Sequence, residues 1–266
     1  MNGLEKKSNL LALSLLGVIA AIQGSGPNIS STALVGASRG LDMVAGTQAI
    51  AASAQTLAIA ASVISTGLLA DRIGRRTVLV AALLLGAIGN LTIMVAPNAL
   101  MYIVGQALTG VGLGAAYAAA FAFIKIVATP DKIAAAMGTF AAVTGTFTVI
   151  FTFLGGTLAS ANWRLAFVLL PVMSLLSCVA VLALLPKTPP QPHAKHSIIG
   201  QIFLALGLVS LLYGISQLAT SLTGFNTWAP IVLGVMLLAL FVLSQAKGKN
   251  PFFPVSLFQN LSFLPQ

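Results

Sequence analysis

Charged side chains are scarce in this chain: they make up 6% of 266 residues, and only four residues are acidic. A soluble domain normally carries about 25% charged residues. Hydrophobic residues make up 58% of the chain, whereas about 45–50% is usual for a soluble domain. The composition therefore excludes an ordinary soluble domain and favours a protein whose solvent is lipid.

Residues that usually build metal or catalytic centres are also rare. The chain has one cysteine, Cys178, so no disulfide can form within it. Its two histidines, His193 and His196, lie in a proline-rich tract, where two imidazoles without further ligands make a poor metal site. No Asp, Glu or His stands inside an apolar stretch, so the sequence predicts no metal site, no cofactor and no intramembrane hydrolase.

Long apolar stretches dominate the chain instead. A membrane-spanning helix needs about 20 apolar residues, and only helices or closed barrels satisfy the backbone within lipid. The predicted fold class is all-α, a polytopic membrane protein in the lipid bilayer. Eight stretches fit the length, namely residues 10–34, 46–70, 77–95, 100–124, 133–159, 165–185, 198–218 and 227–243.

The basic residues predict the orientation of these stretches. If Met1 is cytoplasmic, eleven Lys and Arg fall on the cytoplasmic side and two, Arg39 and Arg164, fall outside. Cytoplasmic loops retain Lys and Arg, so we expect an integral protein of the cell membrane with both termini in the cytoplasm. The cations are spread over five segments rather than one face, so the net charge of +9 does not indicate nucleic-acid binding.

A proline-rich tract separates six stretches from the last two. Its four prolines disfavour a helix. The predicted organisation is a six-helix bundle over 1–185, a cytoplasmic linker over 186–197, an extra helix pair over 198–245 and a cytoplasmic segment over 246–266. Similar Gly-x-Leu-Ala sequences at 67–70 and 156–159 favour two inverted three-helix repeats within the bundle.

The densest cluster of charge is the decapeptide at residues 67–76, which reads GLLADRIGRR. Gly74 suits a tight chain reversal between two helices. Three arginines suit the membrane surface, namely Arg72, Arg75 and Arg76. These features alone are typical of a turn that anchors topology, but they do not account for the acid at Asp71.

The decapeptide resembles the loop motif of the major facilitator superfamily, G-x-L-A-D-R-x-G-R-R/K, which lies between helices 2 and 3 of that family. It matches every fixed position. Six helices, a linker and two further helices resemble the N-terminal part of the family's fourteen-helix drug:proton antiporter branch. The turn at Asn162, Trp163 and Arg164 resembles that branch as well, so the resemblance covers the whole chain.

The resemblance implies transport of a small-molecule substrate by alternating access, with multidrug-type efflux of hydrophobic or amphipathic compounds as the first hypothesis. It implies that Asp71 pairs with a basic residue and with the positive end of a helix in the other half, forming an inner gate with the arginines beside it. It places Gly67 where the second helix approaches that half. The second six-helix half is then expected in a missing C-terminal part or a second chain.

Polar residues within the apolar stretches are candidates for a substrate cavity, because polar groups in lipid are costly. The candidates are Gln23, Asn28, Gln55 and Gln106. Residues 24–27, Gly-Ser-Gly-Pro, either break the first helix and expose its backbone groups or end it early. Interhelical hydrogen bonds explain such amides equally well. Gln106 stands where the resembling family usually has the arginine of its helix-4 motif.

Glycines on the fourth and fifth stretches predict close helix packing, because small residues let helix backbones approach. The predicted positions are Gly110, Gly114, Gly155 and Gly156. Antiporters of the resembling branch carry Gly-Pro before the last two of these, where this chain has Phe151 and Thr152.

Two alternatives remain open. Because no carboxylate lies within a stretch, a possible coupling ion such as a proton is expected to act in the other half, or the protein is a facilitator or uptake permease without proton coupling. Alternatively, the chain is a truncated or fragmentary transporter half with no activity of its own, which we expect because it stops where a ninth helix should begin.

Overall fold

The computed structural model describes residues 3–189, 198–218 and 221–247, with all side chains except those of 3–8, 64, 68, 198, 199 and 245–247. The predicted linker from residue 190 and the predicted segment from residue 248 therefore lie outside the described residues. Within the described ranges the elements are helices: α1 Gly3–Gly40, α2 Ala45–Ile73, α3 Arg75–Met94, α4 Ala99–Val127, α5 Ile133–Ala161, α6 Leu169–Leu184, α7 Ile198–Gln217 and α8 Phe225–Lys247. Short 3₁₀ turns precede α5 and α6.

The described helices are long and apolar enough to cross a membrane. Seven candidate spans are present, or eight if the two parts of α2, Ala45–Val63 and Ser65–Ile73, count as one span bent by 43°. The predicted all-α polytopic membrane fold is confirmed. The described chain divides into two compact units at Gln191–Pro192, the first containing α1–α6 and the second α7 and α8.

The prediction for residues 24–27 was wrong in both of its forms, because α1 runs without interruption through Pro27 to Gly40. Side chains around the proline bond to the backbone of their own helix: Asn28 Nδ2 donates to the Gly24 carbonyl at 3.1 Å, and Ser25 Oγ donates to the Ile22 carbonyl at 3.1 Å. Proline is tolerated in membrane helices where neighbouring groups satisfy the freed backbone. The segment is a packing site instead.

Helix packing in the first unit has an internal symmetry. Helix α1 packs along α5, and α4 packs along α2. If α1–α3 and α4–α6 are inverted repeats, as the sequence predicts, α1 is equivalent to α4 and α2 to α5. The contact of α1 with α5 then corresponds to the contact of α4 with α2. Helix α3 completes the bundle by packing against α4 and α6.

Two apolar clusters form the core of this bundle. One lies where α1 begins and α4 ends, around Leu16, Leu83 and Phe123. The other lies toward the opposite end, around Ile29, Tyr102 and Phe167. The rings of Tyr102 and Phe167 meet edge to face, with their centroids 6.1 Å apart. Burial of these side chains leaves polar groups few partners inside the bundle, so the polar groups that are buried need one another.

The connection from α5 to α6 fastens the end of the bundle opposite the charged turn. Trp163 lies against Gly36 and Gly40 of α1, where an added Cβ would come within 2.9 Å of Trp163 Cβ and 2.8 Å of its indole nitrogen. Arg164 lies over the same indole at 4.3 Å, and its Nη1 donates to the Met94 carbonyl at 2.7 Å. This places a cation at the negative end of α3, where it is stabilising.

The second unit is a pair of closely packed helices. Gly207 and Gly214 of α7 lie against Leu238 and Ile231 of α8. Ser210 Oγ donates to the carbonyl of Pro230 at 2.8 Å, so a side chain of α7 bonds to the backbone of α8 near its proline. Small residues and a hydroxyl thus hold the pair together.

Candidate functional site

A polar cluster joins α1, α2 and α4 inside the first unit. Ser30 Oγ of α1 lies 2.7 Å from Gln55 Oε1 of α2 and 3.2 Å from Gln106 Oε1 of α4. Gln106 Nε2 donates to the hydroxyl of Tyr102 at 2.9 Å. Gln55 and Gln106 are 2% and 1% exposed, so their bonds are made away from solvent. One hydroxyl proton serves two carbonyl acceptors, and this leaves the cluster with acceptor capacity to spare.

The structure separates the four predicted cavity residues into three groups. Gln55 and Gln106 meet at Ser30. Gln23 is also buried, but neither atom of its amide has a hydrogen-bond partner among the described residues. Asn28 lies on an exposed face of α1 and bonds only to its own helix at Gly24.

Two members of the cluster, Ser30 and Tyr102, were missed in the sequence. Their signal was the helical period: Ser30 lies seven residues after Gln23, on the same face of α1, and Tyr102 lies four residues before Gln106 on α4. Residues at these spacings share a face, so a search outward from the predicted amides would have found both.

Helix α1 carries an exposed polar face next to the cluster. Its polar members are Asn28, Ser31 and Thr32, which share the helical period with the exposed Val35. No described helix covers this face, where Thr32 Oγ1 and Asn28 Nδ2 donate to carbonyls of α1 itself. The cluster and this open face lie on adjacent sides of one helix.

The charged turn after α2 holds an ion pair. Arg75 Nε and Nη2 both approach Asp71 Oδ1, at 3.0 Å and 2.9 Å, and Arg75 Nη1 donates to the Ala122 carbonyl of α4 at 2.8 Å. The side chains of Asp71 and Arg75 are 39% and 26% exposed. Asp71 thus has its basic partner within the same turn, and its second carboxylate oxygen is left for another donor.

Gly74 makes this turn one residue long. It separates α2 from α3 with φ +100°, a conformation that residues with a Cβ rarely adopt. Its N–H donates to the Ala70 carbonyl at 3.1 Å, and its carbonyl accepts from Val78 at 3.1 Å. An added Cβ would lie 2.8 Å from the Thr188 carbonyl, so the chain leaving α6 also depends on this glycine.

The other two arginines of the turn differ from Arg75. Arg76 Nη2 donates to the Leu182 carbonyl near the end of α6, and its backbone N–H donates to Thr188 Oγ1 at 3.3 Å. Arg76 therefore contacts α6 and the chain that follows it, whereas Arg75 contacts Asp71 and α4. Arg72 is exposed.

The predicted packing glycines also separate by surroundings. Cβ atoms at Gly110 and Gly114 would collide with the backbone of α2 at Gln55 and Ile59, so α2 and α4 are in close contact there. A Cβ at Gly155 would lie 2.5 Å from Ile29. No described residue lies within 4 Å of the Cβ position of Gly156, and Gly67 is in ordinary contact with Ala118 at 3.8 Å.

Comparisons with known proteins agree with this architecture. The family model for the Major Facilitator Superfamily matches residues 12–248. The chain is 28% identical over 221 residues to the multidrug resistance protein B homolog of Mycobacterium tuberculosis, which spans 80% of this chain and 41% of that protein. It is 28% identical over 203 residues to the multidrug transporter protein MdtP of Bacillus subtilis, covering 74% of this chain and 37% of that protein.

A third relative is the quinolone resistance protein NorB of Staphylococcus aureus, 26% identical over 224 residues, which cover 82% of this chain and 48% of that protein. The chain thus spans less than half the length of these curated relatives. Among solved structures, the peptide transporter POT in complex with sulfate superposes with a TM-score of 0.67 at 17% identity, over 90% of this chain and 53% of that chain. At that identity the likeness concerns the fold alone. A family match over most of the residues, together with the fold, shows that the chain belongs to the major facilitator superfamily.

Proposed function

We propose that this chain is the N-terminal half of a transporter that moves small hydrophobic or amphipathic molecules by alternating access, with multidrug-type efflux as its activity. The observation that carries the proposal is the cluster of Ser30, Gln55 and Gln106, held by three helices beside the open face of α1. A largely apolar site with a few placed polar groups suits amphipathic ligands. The names of the M. tuberculosis and B. subtilis relatives support this substrate class.

A second six-helix half, in the same protein or in another chain, belongs to this proposal. A polar helix face turned toward lipid is costly, so the face of α1 at Asn28, Ser31 and Thr32 calls for a protein or water-filled neighbour. On α5, no described residue lies within 4 Å of the Cβ positions of Gly138 and Gly145. These open surfaces are where the second half would close the cavity.

Asp71 and Arg75 form the proposed inner gate. One carboxylate oxygen is bound by Arg75, and the side chain is 39% exposed at the surface of the bundle. A helix N-terminus of the second half would bind the remaining oxygen, because such ends attract anions. Arg75 also fixes the position of the carboxylate by anchoring to α4 at Ala122.

The placement of the acids favours a second candidate, a facilitator or uptake permease without proton coupling. Among described side chains, the carboxylates are Asp42 in the turn after α1, Asp71 in the last turn of α2, and Asp131 in the 3₁₀ turn before α5. None lies in the middle of a span. In an efflux transporter, proton coupling would therefore use the second half.

The proposed location is the cell membrane, with the charged turn and both termini in the cytoplasm. The distribution of Lys and Arg supports this orientation. The turn at Asp71, the start of α1 and the end of α6 then lie on the inner side, and Trp163 and Arg164 lie on the outer side.

Ethidium efflux from cells that lack their own drug pumps tests the function. The chain is expressed alone and as a fusion to the C-terminal half of the M. tuberculosis relative, with Gln106→Leu made in the fusion. We expect the fusion to lower ethidium accumulation, the chain alone to leave it unchanged, and Gln106→Leu to weaken efflux, because leucine keeps the volume but removes the amide at Ser30 and Tyr102.

Membrane insertion of every variant is checked by quantitative blotting. If the inserted fusion accumulates as much ethidium as empty cells, the efflux proposal fails. Efflux by the chain alone would contradict the need for a second half. Accumulation above that of empty cells would favour the uptake permease.

A further inference from the structure

A cleft of about 510 Å³ lies between α3 and α6, at the end of the bundle where α3 begins. Arg76 and Lys187 line its mouth, and Val80, Ala81 and Leu182 line its body. The transport proposal uses none of these side chains. The cleft is cationic at one end and apolar along its length.

The apolar part of the cleft follows one face of α3. Arg76, Val80 and Leu84 are four residues apart and all line it. At 1.5 Å per residue, the eight residues from Arg76 to Leu84 extend about 12 Å along the helix. Leu84 is 41% exposed and Leu182 is 56% exposed, so the body of the cleft is open to the surroundings of the bundle.

The cations at the mouth have no acidic partner among the described residues. The ion pair of the neighbouring turn joins Arg75 to Asp71, and neither of these residues lines the cleft. Arg76 uses Nη2 on the Leu182 carbonyl, and its Nε is buried with no hydrogen-bond partner in the described part of the chain. Lys187 is exposed. Two positive charges therefore line one cleft.

We propose that this cleft binds an anionic phospholipid, with the phosphate on Arg76 and Lys187 and an acyl chain along Val80, Ala81 and Leu84. Arginine forms strong charge-assisted bonds with phosphate, and basic pockets between membrane helices on the cytoplasmic side suit anionic headgroups. The apolar body favours a lipid over free phosphate, since phosphate would leave it unfilled. The site requires the helices to lie in lipid but does not require transport. The lipid-site proposal can therefore fail or hold independently of the efflux proposal.

Native mass spectrometry of the detergent-purified chain tests the site. The chain is stripped of lipid and titrated with phosphatidylglycerol, with phosphatidylcholine or with inorganic phosphate. We expect retention of one phosphatidylglycerol, with neither of the other two retained. The double variant Arg76→Gln/Lys187→Gln should weaken this binding roughly tenfold to thirtyfold, at about 1 kcal/mol for each cation.

Two further variants distinguish specific binding in the cleft from nonspecific electrostatic attraction of anionic lipid. Arg72→Gln/Lys125→Gln removes the same charge from exposed positions that do not line the cleft, and it should bind phosphatidylglycerol as the parent does. Ala81→Phe keeps the charge but fills the body, and it should lose the lipid. Equal losses in both double variants, equal retention of phosphatidylcholine, or unchanged binding in Ala81→Phe would each overturn the proposal. If the Arg76 variant does not fold, Lys187→Gln alone must still weaken binding.

Discussion

At the scale of single residues, the charged turn depends on a glycine whose backbone conformation and surroundings both disfavour a side chain. Gly74 has φ +100°, and the Thr188 carbonyl occupies the space where a Cβ would lie. The same residue sets the direction in which α3 leaves, and so it positions Arg75 against Ala122 and Asp71. The ion pair and the turn are therefore parts of one local structure.

Gly74→Ala should destabilise the bundle, by about 1–3 kcal/mol, because it forces a strained backbone and a contact with Thr188. Cys178 reports the change, since it is the chain's single cysteine and is buried in the bundle. A thiol-reactive dye should label it at a lower temperature in Gly74→Ala than in the parent.

Gly67→Ala is the matched control, because among the described residues its Cβ would meet Ala118 alone, at an ordinary 3.8 Å. It should keep or slightly raise the labelling temperature, as alanine favours a helix over glycine. Equal temperatures for the two alanine variants would contradict the account of the turn.

Single residues also show what the sequence could and could not predict at the site. The requirement for a tight turn at Gly74 was visible because glycine tolerates positive φ. The meeting of Gln55 and Gln106 was not, because it depends on how far α2 and α4 rotate and slide against each other. The roles of Arg75 and Arg76 were hidden for the same reason: both reach carbonyls more than 40 residues away, at Ala122 and Leu182.

At the scale of helices, α4 is held on two sides by small residues. Gly110 and Gly114 face α2, whereas Gly105 and Gly112 face α3. Helix backbones in close contact gain packing and weak polar interactions that lipid does not supply. On α5, Gly138 and Gly145 have open space around them in the described bundle, so equivalent residue types have different roles there.

Gly114→Val should separate α2 from α4, since its Cβ position already lies 2.5 Å from Ser62 Oγ and 2.9 Å from the Ile59 carbonyl. Overpacking of this kind costs about 1–3 kcal/mol, and the Cys178 labelling temperature should fall. Gly145→Val on α5 should leave that temperature unchanged in the chain alone. A fall of the same size in both variants would show that α5 is also packed.

Helix α1 shows where element prediction fails in a membrane. The extent of the apolar stretches predicted the helices well, because their length must match the bilayer. The predicted interruption at residues 24–27 relied on the broken helices of transporter sites and on the ability of proline to end a helix. Inside the bundle, Gly26 lies against Leu113 and Gln55, and the helix continues.

At the scale of the whole molecule, the proposed function makes the described bundle one side of a solute path. Its polar cluster and the open face lie on adjacent sides of α1, and the turn at Asp71 and Arg75 lies at one end of the bundle. The symmetric contacts of α1 with α5 and of α4 with α2 suit rigid-body rocking of such a half against a partner. The central claim is that Asp71 works across that boundary and not only within its own turn.

Ethidium efflux by the fusion to the second half, compared between Asp71→Asn and Asp131→Asn, tests this claim most directly. Asp131 lies in an exposed turn before α5, so its variant controls for the loss of one acid. We predict that Asp71→Asn lowers the efflux rate about fivefold or more, since an anion at a helix end contributes roughly 1–2 kcal/mol in a partly buried site. The efflux rate of Asp131→Asn should equal that of the parent, and the Cys178 labelling temperature should be the parent value in both variants. An unchanged rate in Asp71→Asn, or an equal loss in Asp131→Asn, would contradict the account.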